Sequence, residues 1–324
     1  MTTDPRWTEA DIPGQHGRTA VVTGANSGLG FETARLLAER GATVVLVCRS
    51  IGNAETAADR IRETAPNAEL RTVRADLLSL MSIRAAAERI RAEFDRIDLL
   101  VNNAGTTFQH RTVSVDGSEA TFATNHLGPF ALTGLLLDRI APHPGARIVA
   151  VSSLLHARAA LPLDDLQCAH RPYRNMAVYG HSKLANLMFI RELQRRLDAA
   201  GAPAIATAAH PGSVRTAFGD HMGPLSRQLN SGVLRPLVAW MQQPAAIGAL
   251  ATLRAATDPA AAGGAYFGPA ERRGLRGYPE PATMAGHALD PHANGLLWAE
   301  SERLTKVTYD FDATGAAGMV AGLA

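Results

Sequence analysis

The stretch Thr19-Ala-Val-Val-Thr-Gly-Ala-Asn-Ser-Gly-Leu-Gly30 decides the fold. Thr19 to Thr23 is a short, continuous apolar run of the kind buried on both faces of a parallel sheet. The glycines that follow, Gly24, Gly28 and Gly30, are spaced G-x-x-x-G-x-G, and from Phe31 to Arg40 the apolar residues recur at helical intervals. A strand, a glycine-rich turn and a helix in that order build the place where a dinucleotide pyrophosphate meets backbone N–H groups and a helix N-terminus. Gly24 and Gly28 let the backbone turn and approach phosphates, with Asn26, Ser27 and Leu29 completing the turn. Gly30 lets helix and strand pack closely. The alternative is an ordinary glycine turn before a helix.

The rhythm continues along the chain. Gly41 ends the first helix, and Ala42 to Cys48 gives a second buried strand. Then come helix Ile51 to Thr64, strand Leu70 to Arg74, helix Ser79 to Phe94 and strand Ile97 to Asn102. Helix Gly117 to Arg139, strand Arg147 to Ser152, helix Tyr179 to Ala200 and strand Ile205 to His210 follow. Strands alternating with helices of this length predict an α/β fold. It is one Rossmann-type, doubly wound domain with a mostly parallel, seven-stranded sheet flanked by helices on both faces. Residues 17–270 form that domain, between an N-terminal extension, 1–16, and a C-terminal extension, 271–324. A polar, proline-containing insertion separates Ser153 from Tyr179. A segment at about 213–243, containing Gly, Pro and Met, reads as a flap over a ligand.

Composition narrows the classes. The 324 residues are 46% hydrophobic and 19% charged, with a formal net charge of +2. Those values suit a globular core and give no reason to expect nucleic acid or an anionic membrane as the main partner. Two cysteines, Cys48 and Cys168, are too few for a disulfide framework or a zinc site. Met1 to Gly17 has the pattern of neither a signal peptide nor a membrane anchor. The best apolar run, Gly128 to Leu137, falls well short of the ~18 residues that a spanning helix needs. A cytoplasmic protein without a membrane anchor is the expectation.

Tyr179-Gly-His-Ser-Lys183 places a phenol and an ammonium four residues apart, on one face if the segment is helical. A phenol ordinarily titrates near ~10, and a fixed cation beside it stabilises phenolate, so the pair is a candidate acid/base device. The other reading is a surface pair. At the end of the second strand, where a carboxylate would hold a ribose 2′-hydroxyl, stands Arg49. Its guanidinium suits a 2′-phosphate, which predicts NADP(H) over NAD(H). Alternatively it stacks on the adenine or reaches solvent.

With these residues in place, the chain resembles the short-chain dehydrogenase/reductase family from about Gly17 to Gly212, in detail its retinol-dehydrogenase and protochlorophyllide-reductase-like branch. The likeness rests on Thr23-Gly-x-x-x-Gly-x-Gly30, Asn102-Asn-Ala-Gly105, Ser153 and Tyr179-x-x-x-Lys183 occurring in this order. Finer matches are Val47-Cys48-Arg49, Asn125-His-Leu-Gly128, Ser152-Ser153 followed by His156, and His210-Pro-Gly212.

The resemblance implies a role for each position. Tyr179 exchanges a proton with the substrate oxygen, and Lys183 holds the nicotinamide ribose and lowers the Tyr179 pKa. Ser153 hydrogen-bonds the carbonyl, and Asn125 holds a water linking Lys183 to solvent. Ser153 rather than Ser152 follows from the family, which places the reactive serine second in the pair. Asp76, with Leu77 beside it, lies near the adenine, though Asp76 also reads as a helix N-cap. Asn102, Ala104 and Gly105 line the adenosine ribose and nicotinamide side, unless Asn102-Asn103 is only a turn. Pro211, Gly212, Val214 and Thr216 meet the carboxamide.

At the substrate, Ser153, Leu155, His156 and Tyr179 are the candidates, with loop packing as the other reading of His156. His126 and His210 read as structural. Leu154, Leu155, Met222, Leu225, Leu229 and Met241 suggest an apolar pocket or simply core. The G-x-S-x-G hydrolase elbow is absent, the turn lacks the G-x-x-G-x-x-G spacing of a related epimerase, and no cluster has metal-ligand spacing. A reductase of a small, fairly apolar carbonyl compound, or a dehydrogenase of the corresponding alcohol, is expected. A silent nucleotide-binding regulator on the same fold is the alternative. Relatives often dimerise through the helices bearing Asn125 and Tyr179, which allows a homodimer or homotetramer; the alternative is that the long terminal extensions cover that surface. The anchor of membrane-bound retinol enzymes has no counterpart in the first residues, which argues against a retinoid substrate.

Overall fold

Val21, Val22, Val44, Val45, Leu46, Leu99, Leu100 and Val101 have no exposed surface in the computed structural model, which describes residues 6–214 and 242–312. They belong to three central strands: β1 (Thr19–Thr23), β2 (Thr43–Cys48) and β4 (Leu99–Asn102). Successive side chains of a strand point to opposite faces. Val21 accordingly joins the core under one helical layer, and Val22 the core under the other. One layer holds α1 (Gly28–Glu39), α2 (Ile51–Thr64) and α7 (Ala245–Thr257). The opposite layer holds α3 (Leu80–Glu93), α5 (Gly128–Leu136), α6 (Asn175–Ala199) and α8 (Pro291–Thr305).

With β3 (Leu70–Arg74), β5 (Arg147–Val151), β6 (Ile205–Ala209), β7 (Tyr266–Glu271) and β8 (Arg276–Pro281), the sheet runs in the order β3-β2-β1-β4-β5-β6-β7-β8. Every pair is parallel except β7 with β8. The sheet therefore has eight strands where seven were expected. The eighth, Arg276-Gly-Tyr-Pro-Glu-Pro281, carries two prolines and no apolar run, a composition that suits only an edge.

Residues beyond 270 are thus more than an extension, since they supply β8 and then α8, which packs across α5 and α6. At the other end, Trp7 and Ile12 are buried against the α1 layer. Most of the expected flap at 213–243, with Met222, Leu225, Leu229 and Met241, lies outside the described residues. No helix among the described residues is long and apolar enough to cross a membrane.

Two helices differ from the sequence pattern. α6 begins at Asn175, one turn before Tyr179, so the phenol stands inside the helix and not at its fraying end. The stretch read as one helix from Gly117 to Arg139 is a short α4 (Ala120–Phe122), a π turn (Ala123–Leu127) and α5. Single π turns of this kind concentrate at functional sites.

Candidate active site

The carboxyl ends of the central strands open into one cleft of about 770 Å³. β1 and β4 meet where the strand order reverses, the place at which an open α/β sheet leaves a crevice for a ligand. Gly24, Asn26, Ser27, Gly28, Leu29 and Gly30 all line it. A Cβ on Gly30 would fall 2.3 Å from the Gly24 carbonyl oxygen, so the turn closes on its helix only because that side chain is missing. Ser27 occupies the N-cap of α1 without a capping side-chain bond, which leaves the first N–H groups of the helix available to the cleft. Opposite, the Asn103 amide nitrogen donates to the Thr23 carbonyl at 2.9 Å. Thr23 Oγ1 receives the N–H groups of Asn103 and Ala104, each at 3.0 Å. The turns after β1 and β4 are thereby locked together.

Strand alternation assigns the asparagine pair. Asn103, Ala104 and Gly105 line the cleft, whereas Asn102 is buried and donates to Thr133 Oγ1 of α5 at 2.9 Å. Asn102 is therefore corrected to Asn103 as the side chain at the site. The signal was present in the sequence, because neighbours at a strand end face opposite ways.

Arg49, exposed at the end of β2, lines the cleft together with Asp76 and Leu77. Asp76 is not the cap of α3. Ser79 takes that position and accepts the Ser82 N–H, while Asp76 Oδ1 receives the Leu78 N–H at 3.1 Å within its own turn. Pro211, Gly212 and Val214 also line the cleft, and Thr216 lies outside the described residues. Thr106, Thr107 and Phe108 also line the cleft without having been singled out, since a loop without periodicity gives no pattern to read.

Ser153, Leu155, Tyr179 and Lys183 line the same cleft. The structure separates the two serines. Ser152 is buried, and its hydroxyl donates to the Lys183 carbonyl at 2.8 Å, which ties β5 to α6. Ser153 is half-buried, accepts the Leu155 N–H at 3.3 Å, and hydrogen-bonds the Tyr179 side chain.

Lys183, 3% exposed, donates from Nζ to the Val151 carbonyl at 2.9 Å and stands 5.6 Å from the centre of the Tyr179 ring. Burial brings its pKa down to about 8. Burial also raises the Tyr179 pKa, and the Ser153 hydrogen bond opposes that rise. The phenol is thus held above its ordinary range, where the resemblance implied a lowering. Removing both side chains from water penalises the charged form of each, and the ammonium is directed at a carbonyl instead.

Asn125 and His156 also differ from expectation. The π turn points Asn125 inward, where it is fully buried. Its Oδ1 accepts the Thr106 N–H at 2.8 Å, and its Nδ2 donates to the Thr106 carbonyl and to Ser182 Oγ, both at 2.9 Å. Ser182 Oγ in turn donates to the Tyr179 carbonyl at 2.7 Å. Asn125 therefore staples the cleft loop to α6 and does not itself line the cleft. His156 is 2% exposed, lies outside the cleft lining and bonds the Ser153 carbonyl and the Ala285 N–H, the arrangement of the loop-packing reading. His126 and His210 are buried, with pKa values held down to about 3 and about 4, as structural histidines should be.

Comparison with known proteins agrees with this arrangement. Residues 18–224 match the family described as short chain dehydrogenase. Human retinol dehydrogenase 13 is 38% identical over 298 residues, 91% of this chain and 86% of the relative. Retinol dehydrogenase 12 of Mus musculus is 45% identical over 207 residues, 64% of each chain. Among solved structures, a protein from Mycobacterium paratuberculosis superposes with a TM-score of 0.77 at 39% identity, covering 94% of this chain and 99% of its own. A protein of Beutenbergia cavernae, named as an NAD(P) dependent gluconate 5-dehydrogenase and holding NADP, gives 0.59 at 28% identity, covering 76% and 91%.

Proposed function

We propose that this chain, which belongs to the short-chain dehydrogenase family and so is an oxidoreductase interconverting alcohol and carbonyl groups, works with NADP(H) and reduces a ketone or aldehyde. One observation carries the reading: Ser153, Tyr179 and Lys183 share a single cleft with the glycine turn. The residues fit the cofactor, because Gly30 has no room for a side chain and the uncapped N-terminus of α1 is suited to phosphate. In this reading Gly24 to Gly30 hold the pyrophosphate and Arg49 a 2′-phosphate. Asp76 and Leu77 flank the adenine, Lys183 holds ribose hydroxyls, and Pro211, Gly212 and Val214 meet the carboxamide. The bound nicotinamide supplies hydride.

The remaining chemistry belongs to the chain's own side chains. Ser153 Oγ and the Tyr179 phenol donate to the substrate oxygen and stabilise the charge that builds there. A phenol kept protonated by burial enters as a loaded acid and passes its proton to that oxygen. Lys183, charged below about pH 8, favours the phenolate left behind. Carbonyl reduction is therefore expected to hold up to about pH 8 and decline above it, with Lys183→Met slow and lacking that inflection. A rate climbing through pH 8 speaks against Tyr179 as the acid.

Arg49 sets the cofactor preference. Wild-type protein is expected to bind NADPH more tightly than NADH in fluorescence titration. Arg49→Ala should erode the ratio by about 10- to 100-fold, the value of a charged hydrogen bond. An unchanged ratio removes Arg49 from the selection.

Leu155 and Phe108 make the cleft lining partly apolar, and the human and mouse relatives are named for retinol, so the substrate is a fairly apolar carbonyl compound. A panel of such aldehydes and ketones with NADPH, read by nicotinamide absorbance, tests the activity. Silence across the panel favours a nucleotide-binding protein without catalysis. A cytoplasmic location is part of the same reading, and cell fractionation tests it.

A further inference from the structure

Both ring nitrogens of His156 are committed, and they connect the Ser153 turn to a distant part of the chain. Nε2 lies 3.2 Å from the Ala285 amide nitrogen. An amide N–H only donates, so Nε2 is the acceptor and Nδ1 carries the proton. Nδ1 lies 2.6 Å from the Ser153 carbonyl oxygen and donates to it, beside the His156 N–H at 3.0 Å. Geometry thus fixes one neutral tautomer, and burial acts in the same direction by lowering the pKa of the ring. The ring also stands edge-on to Tyr266, 5.6 Å between centroids at 88°.

Few other contacts orient Ser153. Its hydroxyl accepts the Leu155 N–H at 3.3 Å, a long bond, and meets the Tyr179 phenol. The 3₁₀ turn Leu154–Arg158 that follows rests on Gly180 of α6, where a Cβ would lie 3.2 Å from the Leu155 carbonyl oxygen. On its other side the turn meets the imidazole and, through the Leu154 side chain, Gly274 of the connection between β7 and β8. The segment that the imidazole holds is firm: the Ala282 N–H donates to the Tyr266 carbonyl at 2.7 Å, and Ala288 is fully buried.

We propose that His156 is a positioning residue for Ser153, tying the Ser153 carbonyl through its ring to the Ala285 amide so that the segment between β8 and α8 sets the aim of the Ser153 hydroxyl. This rests on the assignment of Ser153 as the donor to the substrate carbonyl. The reaction wall is then braced by residues more than a hundred positions downstream, in a segment that the sequence pattern leaves as an extension. A displaced donor costs turnover steeply, because a shift of ~1 Å at a reacting group can lower rates ~100-fold.

His156→Phe keeps a ring against Tyr266 and removes both bonds; His156→Asn restores a donor near the Nδ1 position. His156→Phe is expected to lower kcat about 10- to 100-fold with NADPH affinity unchanged, and His156→Asn to recover part of that loss. Amide exchange, which needs no substrate, should show 153–158 and 285–289 losing protection together in His156→Phe. If a folded His156→Phe keeps wild-type kcat, or loses NADPH affinity in step with kcat, the proposal is overturned. Exchange that loosens only one of the two segments also overturns it. Ser153→Ala in the same assay separates the two claims: if it turns over normally, the role given to Ser153 fails, while the exchange data still judge the brace.

Discussion

Tyr179→Phe is expected to cut kcat by about 10²- to 10⁴-fold, the range for loss of a general acid, and to leave NADPH affinity nearly unchanged. The substitution removes one oxygen and keeps the ring beside Lys183 Nζ, whose bond to the Val151 carbonyl does not involve the phenol. Apart from Lys183, the groups assigned to the cofactor lie on elements other than α6: the turn before α1, the ends of β2 and β3, and the loops after β4 and β6. An interaction made only as charge develops on the substrate oxygen lowers kcat and kcat/KM together when it is removed. Stopped-flow traces with saturating NADPH read the chemical step directly. Hydride transfer within about tenfold of wild type would take the phenol out of the mechanism, because that residual is far more than an absent acid permits. Loss of NADPH affinity instead would move Tyr179 from proton transfer to cofactor binding.

The readable parts of this molecule are those where one local rule decides. Thr19 to Thr23 has to be buried on both faces, and the strand bounds agree residue for residue. Gly24 and Gly28 line the cleft with positive φ that side-chain-bearing residues rarely adopt, and Gly30 leaves no room for a Cβ. The Tyr179–Lys183 spacing works because α6 is regular through it. What stayed hidden depends on contacts between distant segments. β8 has no apolar alternation because it is an edge strand, stabilised by pairing with β7 more than by burial. His156 takes its role from Ala285, 129 positions away. The Lys183 ammonium is directed to the Val151 carbonyl by the packing of α6 on β5, which no i,i+4 rule contains. Asn102 and Asn103 lie between these cases, since alternation would have sorted them had the strand end been known.

Trp298→Ala is expected to destabilise the protein by about 3–5 kcal/mol, the usual cost of emptying a buried aromatic site. At ~2 cal/mol/K per residue over this chain length, that lowers the melting midpoint by about 4–7 °C. The indole is 2% exposed and central to an aromatic cluster. Phe130 of α5 lies 5.1 Å away, Phe189 of α6 5.8 Å and Tyr309 4.5 Å, with the Arg196 guanidinium 4.4 Å above the ring. The Tyr309 hydroxyl closes the arrangement by donating to the Phe130 carbonyl at 2.6 Å. Not every part of the side chain stabilises, because Trp298 Nε1 is buried without a hydrogen-bond partner among the described residues. Trp298→Phe discards that unpaired N–H and keeps a ring, so it is expected to cost about 1 kcal/mol or less. Leu296→Ala, at a half-exposed position of the same helix, controls for α8 itself. If Trp298→Ala melts with that control, α8 is an appendage, and the sheet with its other helices is the folding unit. If it falls as expected, residues past 270 belong to the core that holds α5 and α6 in place. Turnover per folded molecule should then persist in Trp298→Ala, since Tyr179 and Lys183 lie on the part of α6 that precedes Phe189.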